Sequence, residues 1–278
     1  MTPRDLLRQT ALRFQAEGIP DPENDASLLL SHLTGKPALE LRLDTDSSVD
    51  QQVLSAFQSL AEKRLKRTPL QYLLGETFFC GRLFKVDPRV LIPRPETELL
   101  CEWALEILKN APAPQILDLC CGSGCIGLTI KAERPDAFVT LSDLSADALN
   151  VSAVNAVRHS LDVSIRRSDL LDEFSGSCFD LIISNPPYIP SSDCTRLQPE
   201  VQAEPRMALD GGPDGCDLYR RIILTAGSVL PPGGRLLMEC GINEADLLSG
   251  LLSDQGYRDI EIRKDFAGID RMILAKLP

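Results

Sequence analysis

Ile116-Leu117-Asp118-Leu119-Cys120-Cys121-Gly122-Ser123-Gly124-Cys125-Ile126-Gly127 is the stretch whose reading decides the fold. Its first four residues read as a short buried strand. A glycine-rich turn follows and opens a helix that runs through Lys131. In a doubly wound sheet, such a turn lies at the carboxyl ends of the strands, where ligands bind. Glycine there lets backbone approach a ligand closely. The spacing is not G-x-x-x-x-G-K-[ST], which disfavours a phosphate loop. Cys120 stands where a dinucleotide fingerprint has its first glycine. Taken alone, the stretch reads equally well as an ordinary tight strand-to-helix turn.

Downstream, strands and helices alternate. Residues 137–141, 163–166, 179–184 and 235–239 read as strands, and 146–157, 219–230 and 244–253 as helices. Extended segments 259–263 and 271–275 close the chain. Alternation of this kind predicts an α/β fold, a Rossmann-like, seven-stranded, mostly parallel sheet with helices on both faces. The last two strands are too close for a parallel crossover and are expected to pair antiparallel.

Upstream, residues 1–74 read as a small helical bundle. Leu7, Ala11 and Phe14 share one face. Asp21-Pro22 reads as an N-cap and first-turn proline, and Gly35 as a helix end. Val53, Phe57 and Leu60 form a stripe on a helix over 49–67. Thr77-Phe78-Phe79 and Leu83-Phe84-Lys85-Val86 flank Cys80-Gly81-Arg82, so residues 75–94 read as a hairpin linker. Pro93 and Pro95 mark entry to a helix over 96–108, and residues 95–278 form the sheet domain.

A net charge of −11 weighs against tight, non-specific nucleic-acid binding, because phosphate neutralisation needs Lys and Arg. The best basic patch, Lys63, Arg64, Lys66 and Arg67, reads as the solvated end of a helix. Nine cysteines without a C-x-x-C pair, and two distant histidines (His32 and His159), do not make a zinc site. The chain reads as a cytoplasmic protein with free thiols, without a signal peptide or a membrane span.

Three further features point to chemistry. Asp143 follows the second strand, where a carboxylate can accept from both ribose hydroxyls of an adenosine ligand. It reads as easily as a turn residue before a helix. Asp169 can accept from an adenine amino group while the Leu170 N–H donates to a ring nitrogen; otherwise Asp169 is a loop aspartate. Asn185-Pro186-Pro187-Tyr188 follows an apolar strand. Its prolines cannot donate and leave carbonyl acceptors free. The Asn185 side-chain oxygen is another acceptor, so the turn can grip the two hydrogens of a planar –NH₂ while Tyr188 offers a face for stacking. The long segment 189–215 reads as a substrate-binding wall.

These residues, with Leu91-Ile92-Pro93-Arg94-Pro95-Glu96-Thr97-Glu98, Glu204-Pro205-Arg206 and Ala208-Leu209-Asp210-Gly211-Gly212, resemble the HemK/PrmC protein-glutamine methyltransferases over nearly the whole chain. The resemblance implies a class I methyltransferase domain using S-adenosyl-L-methionine. Its cofactor site would be Cys120, Cys121, Gly122, Ser123, Gly124, Asp143, Asp169, Leu170 and Asn185. Asn185, Pro186, Pro187 and Tyr188 would hold the substrate, with Asn185, Pro186 and Tyr188 catalytic. The implied substrate is the glutamine of the Gly-Gly-Gln motif in class I peptide chain release factors, docked with help from the N-terminal helices. A monomer without direct nucleic-acid contact is expected. Ribosomal-protein L3 glutamine methyltransferases share most of these motifs, and the Asn-Pro-Pro-Tyr turn also occurs in amino-methylating DNA and RNA enzymes. The chain departs from the family at Cys120-Cys121, where many members have Gly-Thr, which puts the backbone at Cys120 in question.

Overall fold

The computed structural model describes residues 1–278. The chain divides into two compact units, Met1–Glu76 with Gln198–Ala203, and Thr77–Leu197 with Glu204–Pro278.

The first unit is helical. It contains α1 (Pro3–Ala16), α2 (Pro22–Thr34), α3 (Ala38–Leu43), α4 (Gln51–Leu65) and α5 (Leu70–Leu74). Thr2 caps α1 by accepting from the Asp5 N–H, and Asp50 caps α4 through Gln52 and Val53. Asp21 makes no side-chain cap, so proline alone sets the start of α2. Leu6, Phe14, Leu29, Leu30 and Phe57 meet in the core. The Lys63–Arg67 run is not simply a solvated helix end. Arg64 is buried, with its guanidinium 2.7 Å from both Asp25 and Glu200. Arg67 donates to the Glu17 and Gly18 carbonyls and to Glu200. A buried guanidinium needs such partners to offset its desolvation, and they tie segment 198–203 to this unit.

The second unit opens with the hairpin β1 (Glu76–Phe79) and β2 (Arg82–Lys85), then α6 (Pro95–Leu108). Its sheet is built from β3 (Gln115–Leu119), β4 (Phe138–Asp143), β5 (Ser164–Arg167), β6 (Leu181–Ser184), β7 (Arg235–Glu239), β8 (Arg258–Lys264) and β9 (Asp270–Lys276). The strand order is β5-β4-β3-β6-β7-β9-β8. The first five strands are parallel; β9 pairs antiparallel with both β7 and β8. Strand side chains alternate between faces. Ile116, Ile183 and Leu237 therefore join the core under α6, α7 (Cys125–Glu133) and α8 (Ala146–Arg158). Leu117, Ile182 and Leu236 join the opposite core under α10 (Asp217–Ala226) and α11 (Ala245–Asp254), while the short α9 (Pro199–Gln202) belongs to the first unit. The chain leaves β3 toward β4 on one side and returns to β6 on the other. That reversal opens a crevice at the carboxyl ends of the strands.

Candidate active site

The glycine turn fixes one wall of that crevice. Buried Asp118 accepts from the Gly127 N–H at 2.8 Å and so pins the first turn of α7 to β3. A Cβ on Gly127 would lie 2.4 Å from Leu141 and 3.0 Å from the Asp118 side chain, so only glycine lets helix and sheet close. Burial pushes the Asp118 carboxyl up to about 7. Cys120 adopts φ +61, the left-handed region that glycine enters freely. The turn therefore keeps a glycine-like backbone at Cys120. Cys121 is anchored by its N–H on the Ser142 carbonyl, 2.9 Å, and Asn155 donates to the Ser123 carbonyl, 2.9 Å. Gly124, at φ +78, packs under Ser152, Leu128 and Leu141. A Cβ on Gly122, also at positive φ, would meet nothing within 4 Å.

That open space belongs to a cleft at the carboxyl ends of the strands. Cys120 and Gly122 line it, with Asp143 at the end of β4, Asp169 and Leu170 after β5, and Asn185 and Pro187 after β6. Cys121, Ser123 and Gly124 lie in the turn without lining the cleft, and Pro186 and Tyr188 also stand off its wall. Leu91, Leu119, Leu144, Ala148 and Leu218 make much of the wall apolar. The Asp143 carboxylate accepts from the Gly122 N–H, 2.9 Å, and the Ser145 N–H, 2.8 Å. It braces the glycine turn while facing the cleft, and burial raises its pKa. Ser145, rather than Asp143, caps α8. Asp169 pairs with Arg221 at 2.9 Å on the surface. Leu170 is held at φ +48, and no acceptor within the protein takes its N–H.

Two segments brace the Asn-Pro-Pro-Tyr turn. Ile189 donates to Leu209, and Gly211 donates back to Ile189, both at 2.9 Å. A Cβ on Gly211 would lie 2.3 Å from the Gly215 carbonyl oxygen and 2.8 Å from that of Pro187, so the turn seats on bare backbone. Buried Glu204 accepts from the Ile92 N–H, 2.9 Å, and from Arg94. It thereby joins the 90–94 segment to the 205–208 segment, both of which reach the cleft. The Pro186 carbonyl receives no hydrogen bond from the protein. Asn185 donates through Nδ2 to the Thr97 hydroxyl, 3.2 Å. Thr97 donates to Glu239 Oε2, 2.6 Å, and the Tyr188 hydroxyl lies 3.3 Å from Glu239 Oε1. Sequence reasoning gave Thr97 and Glu239 no role. The signal that they belong here is spatial, because 142 residues separate them.

A Rossmann-like sheet with a glycine turn after its first strand, an acid after its second and an Asn-Pro-Pro-Tyr turn after its fourth is the architecture of S-adenosylmethionine-dependent methyltransferases. Residues 97–203 match the methyltransferase small domain and residues 5–75 the PrmC N-terminal domain. The chain is similar in fold to a methyltransferase from Pyrococcus furiosus (TM-score 0.53, 16% identity, 69% of this chain and 87% of that one). It is also similar to the 16S rRNA N2 G1207 methyltransferase of Thermus thermophilus, solved with AdoMet and guanosine (TM-score 0.54, 19% identity, 73% of this chain and 50% of that one). Two relatives match almost end to end. Release factor glutamine methyltransferase of Geobacter sulfurreducens is 40% identical over 98% of this chain and 95% of its own. That of Deinococcus radiodurans is 41% identical over 98% of both. The chain belongs to the release factor glutamine methyltransferase family, and S-adenosylmethionine is its cofactor. The cleft fits that cofactor: it pairs apolar walls with a carboxylate, an unpaired N–H and a space that a Cβ would fill.

Proposed function

We propose that this protein methylates the side-chain amide nitrogen of the glutamine in the Gly-Gly-Gln motif of class I release factors, as a cytoplasmic monomer without touching nucleic acid. The carrying observation is Asn185: its Nδ2 is committed to Thr97, which leaves Oδ1 as an acceptor in the cleft that Asn185 lines. The full-length likeness to proteins of that activity supports the choice of substrate. The acid balance of the chain favours a protein over a nucleobase.

Asp143 would hold the cofactor ribose through the acceptor sites its two backbone bonds leave open. Asp169 and the Leu170 N–H would hold the adenine, and the turn from Cys120 to Gly124 would pass beneath. The cofactor supplies an electrophilic methyl group on a sulfonium. An amide nitrogen is a weak nucleophile, because its lone pair is delocalised into the carbonyl. Asn185 Oδ1 and the Pro186 carbonyl accept its two N–H bonds, aim the lone pair and favour the positive charge that develops on nitrogen. Tyr188 backs the planar amide. Much of the acceleration is positional. The amide nitrogen would take up the methyl group, with the bond pair left on the cofactor sulfur, and would then shed a proton to water.

Asn185→Ala is expected to lower kcat by a factor on the order of 100 or more, the scale of losing an oriented charge-stabilising group, while cofactor affinity by calorimetry stays within about threefold. Turnover at the wild-type level would end the proposal. Parallel incubation of labelled cofactor with release factor and ribosomal protein L3, mapped by mass spectrometry, decides the substrate; label on L3 alone overturns the release-factor reading.

A further inference from the structure

Thr97 sits in the first turn of α6 and Glu239 is the last residue of β7. Both are buried, 2% exposed each, yet polar. A carboxylate so placed is costly unless its oxygens are used. Here each oxygen reaches a different half of the Asn-Pro-Pro-Tyr turn: Oε2 takes the Thr97 hydroxyl proton at 2.6 Å, and Oε1 meets the Tyr188 hydroxyl at 3.3 Å. Tyr219 donates to the Glu239 backbone carbonyl at 2.8 Å, which fixes the end of the strand.

A hydroxyl has one proton. Because Thr97 spends it on Glu239, its oxygen can only accept from Asn185, and only the –NH₂ end of Asn185 can supply that bond. The relay thus dictates which way the Asn185 amide faces. A reversed amide would set oxygen against oxygen at Thr97 and present a donor where the substrate amide also donates.

We infer that Thr97 and Glu239 are positioning residues for methyl transfer: one buried carboxylate orients the Asn185 amide through the Thr97 hydroxyl and steadies Tyr188 directly. The inference rests on the reading of Asn185 as the holder of the substrate amide. It assigns Thr97 and Glu239 no contact with substrate.

The test compares Thr97→Val, Thr97→Ser, Glu239→Gln and Asn185→Ala in the full chain with release factor and cofactor. Valine keeps the shape of threonine and removes the hydroxyl. Thr97→Val should lower kcat about 10- to 100-fold, the scale of a small misplacement of a reacting group. The cofactor dissociation constant should remain within about twofold of wild type. Thr97→Ser restores the hydroxyl and should recover kcat to within about threefold of wild type. Glu239→Gln presents a donor to one of its two partners and should lose kcat with the same unchanged cofactor affinity. In Thr97→Val/Asn185→Ala the losses should not multiply, because Thr97 acts through Asn185.

Wild-type kcat in Thr97→Val overturns the inference. So does a serine variant as slow as the valine variant, or a loss expressed in cofactor affinity or melting temperature. Normal turnover in Asn185→Ala would instead sink the underlying reading of the site, so the two failures are separable.

Discussion

Gly122 and Gly124 lie two residues apart, both at positive φ, yet they answer to different demands. Gly124 is hemmed in, with an added Cβ 3.0 Å from Ser152, 3.1 Å from Leu128 and 3.2 Å from Leu141. Gly122 has no such neighbour and borders the cleft. Gly124→Ala should therefore cost about 2–4 kcal/mol, combining left-handed strain with overpacking. Gly122→Ala should cost only about 1 kcal/mol of stability but weaken cofactor binding by about tenfold or more. Urea unfolding and calorimetry on both variants check this; equal effects on stability and affinity would contradict it. Cys120 shows that the left-handed turn does not demand glycine at its first position. The thiol is small and the residue only half-buried, so backbone strain is its main cost. The Asn-Pro-Pro-Tyr turn is legible because its four residues are contiguous. Thr97 lies in the contiguous Leu91–Glu98 motif, but its pairing with Glu239 is illegible, because the two polar residues meet only when α6 packs over β7.

Among elements, the central strands β3, β6 and β7 are the most legible, since each is a short, largely apolar run beside turn residues. The antiparallel ending of the sheet also follows from the short link between β8 and β9. Helix ends are less so. Residues 219–230 read as one helix, but α10 spans Asp217–Ala226 and the chain then turns, with Val229 and Leu230 both donating to the Ala226 carbonyl. α3 and α5 have six and five residues, too few to show a 3.6-residue period. Segment 189–215 reads as one loop. It is instead divided: Ile189 and 209–211 brace the Asn-Pro-Pro-Tyr turn, and 198–203 belongs with the helices. Glu204 begins the part that returns to the cleft. Glu204→Ala leaves the buried Ile92 N–H without its acceptor and frees Arg94, which is exposed enough to find water. Stability should fall by about 1–3 kcal/mol, the cost of one orphaned donor. Cofactor affinity should fall too, as the 90–94 and 205–208 segments part. Glu204→Gln keeps an acceptor for Ile92 and should retain most of both. Wild-type affinity in Glu204→Ala would show that the bridge does not shape the cleft.

At the scale of the molecule, the sheet unit carries an unusual set of buried acids along one end of its strands. Burial raises Asp118 and Glu244 to about 7, and it also raises Asp143 and Glu239. The folded chain therefore keeps protons that the unfolded chain gives up near pH 4. Between about pH 4 and 7 the native state binds more protons, so stability falls as pH rises through that window and levels off above it. Asp87, Asp210, Asp214 and Asp265 act in the opposite sense: hydrogen bonds hold them below the usual range, and their contribution disappears as pH drops below about 4. Asp214 is well exposed, and solvent screening keeps its contribution small, while Asp87, Asp210 and Asp265 are more covered. The net expectation is a protein without cofactor that resists urea better at pH 5.5 than at pH 8. The negative charge of the chain, −11 at pH 7, works in the same direction, because self-repulsion eases as carboxylates protonate. Asp118 alone, raised from 3.8 to about 7 in full burial, accounts for about 2 kcal/mol between those two pH values. Asp118→Asn can still accept from Gly127 and should reduce the difference by that amount, while Glu244→Gln should reduce it less. A variant that unfolds with the wild-type pH dependence would mean that Asp118 is ionised in the folded protein. Its hold on α7 would then depend on charge as well as on the Gly127 hydrogen bond.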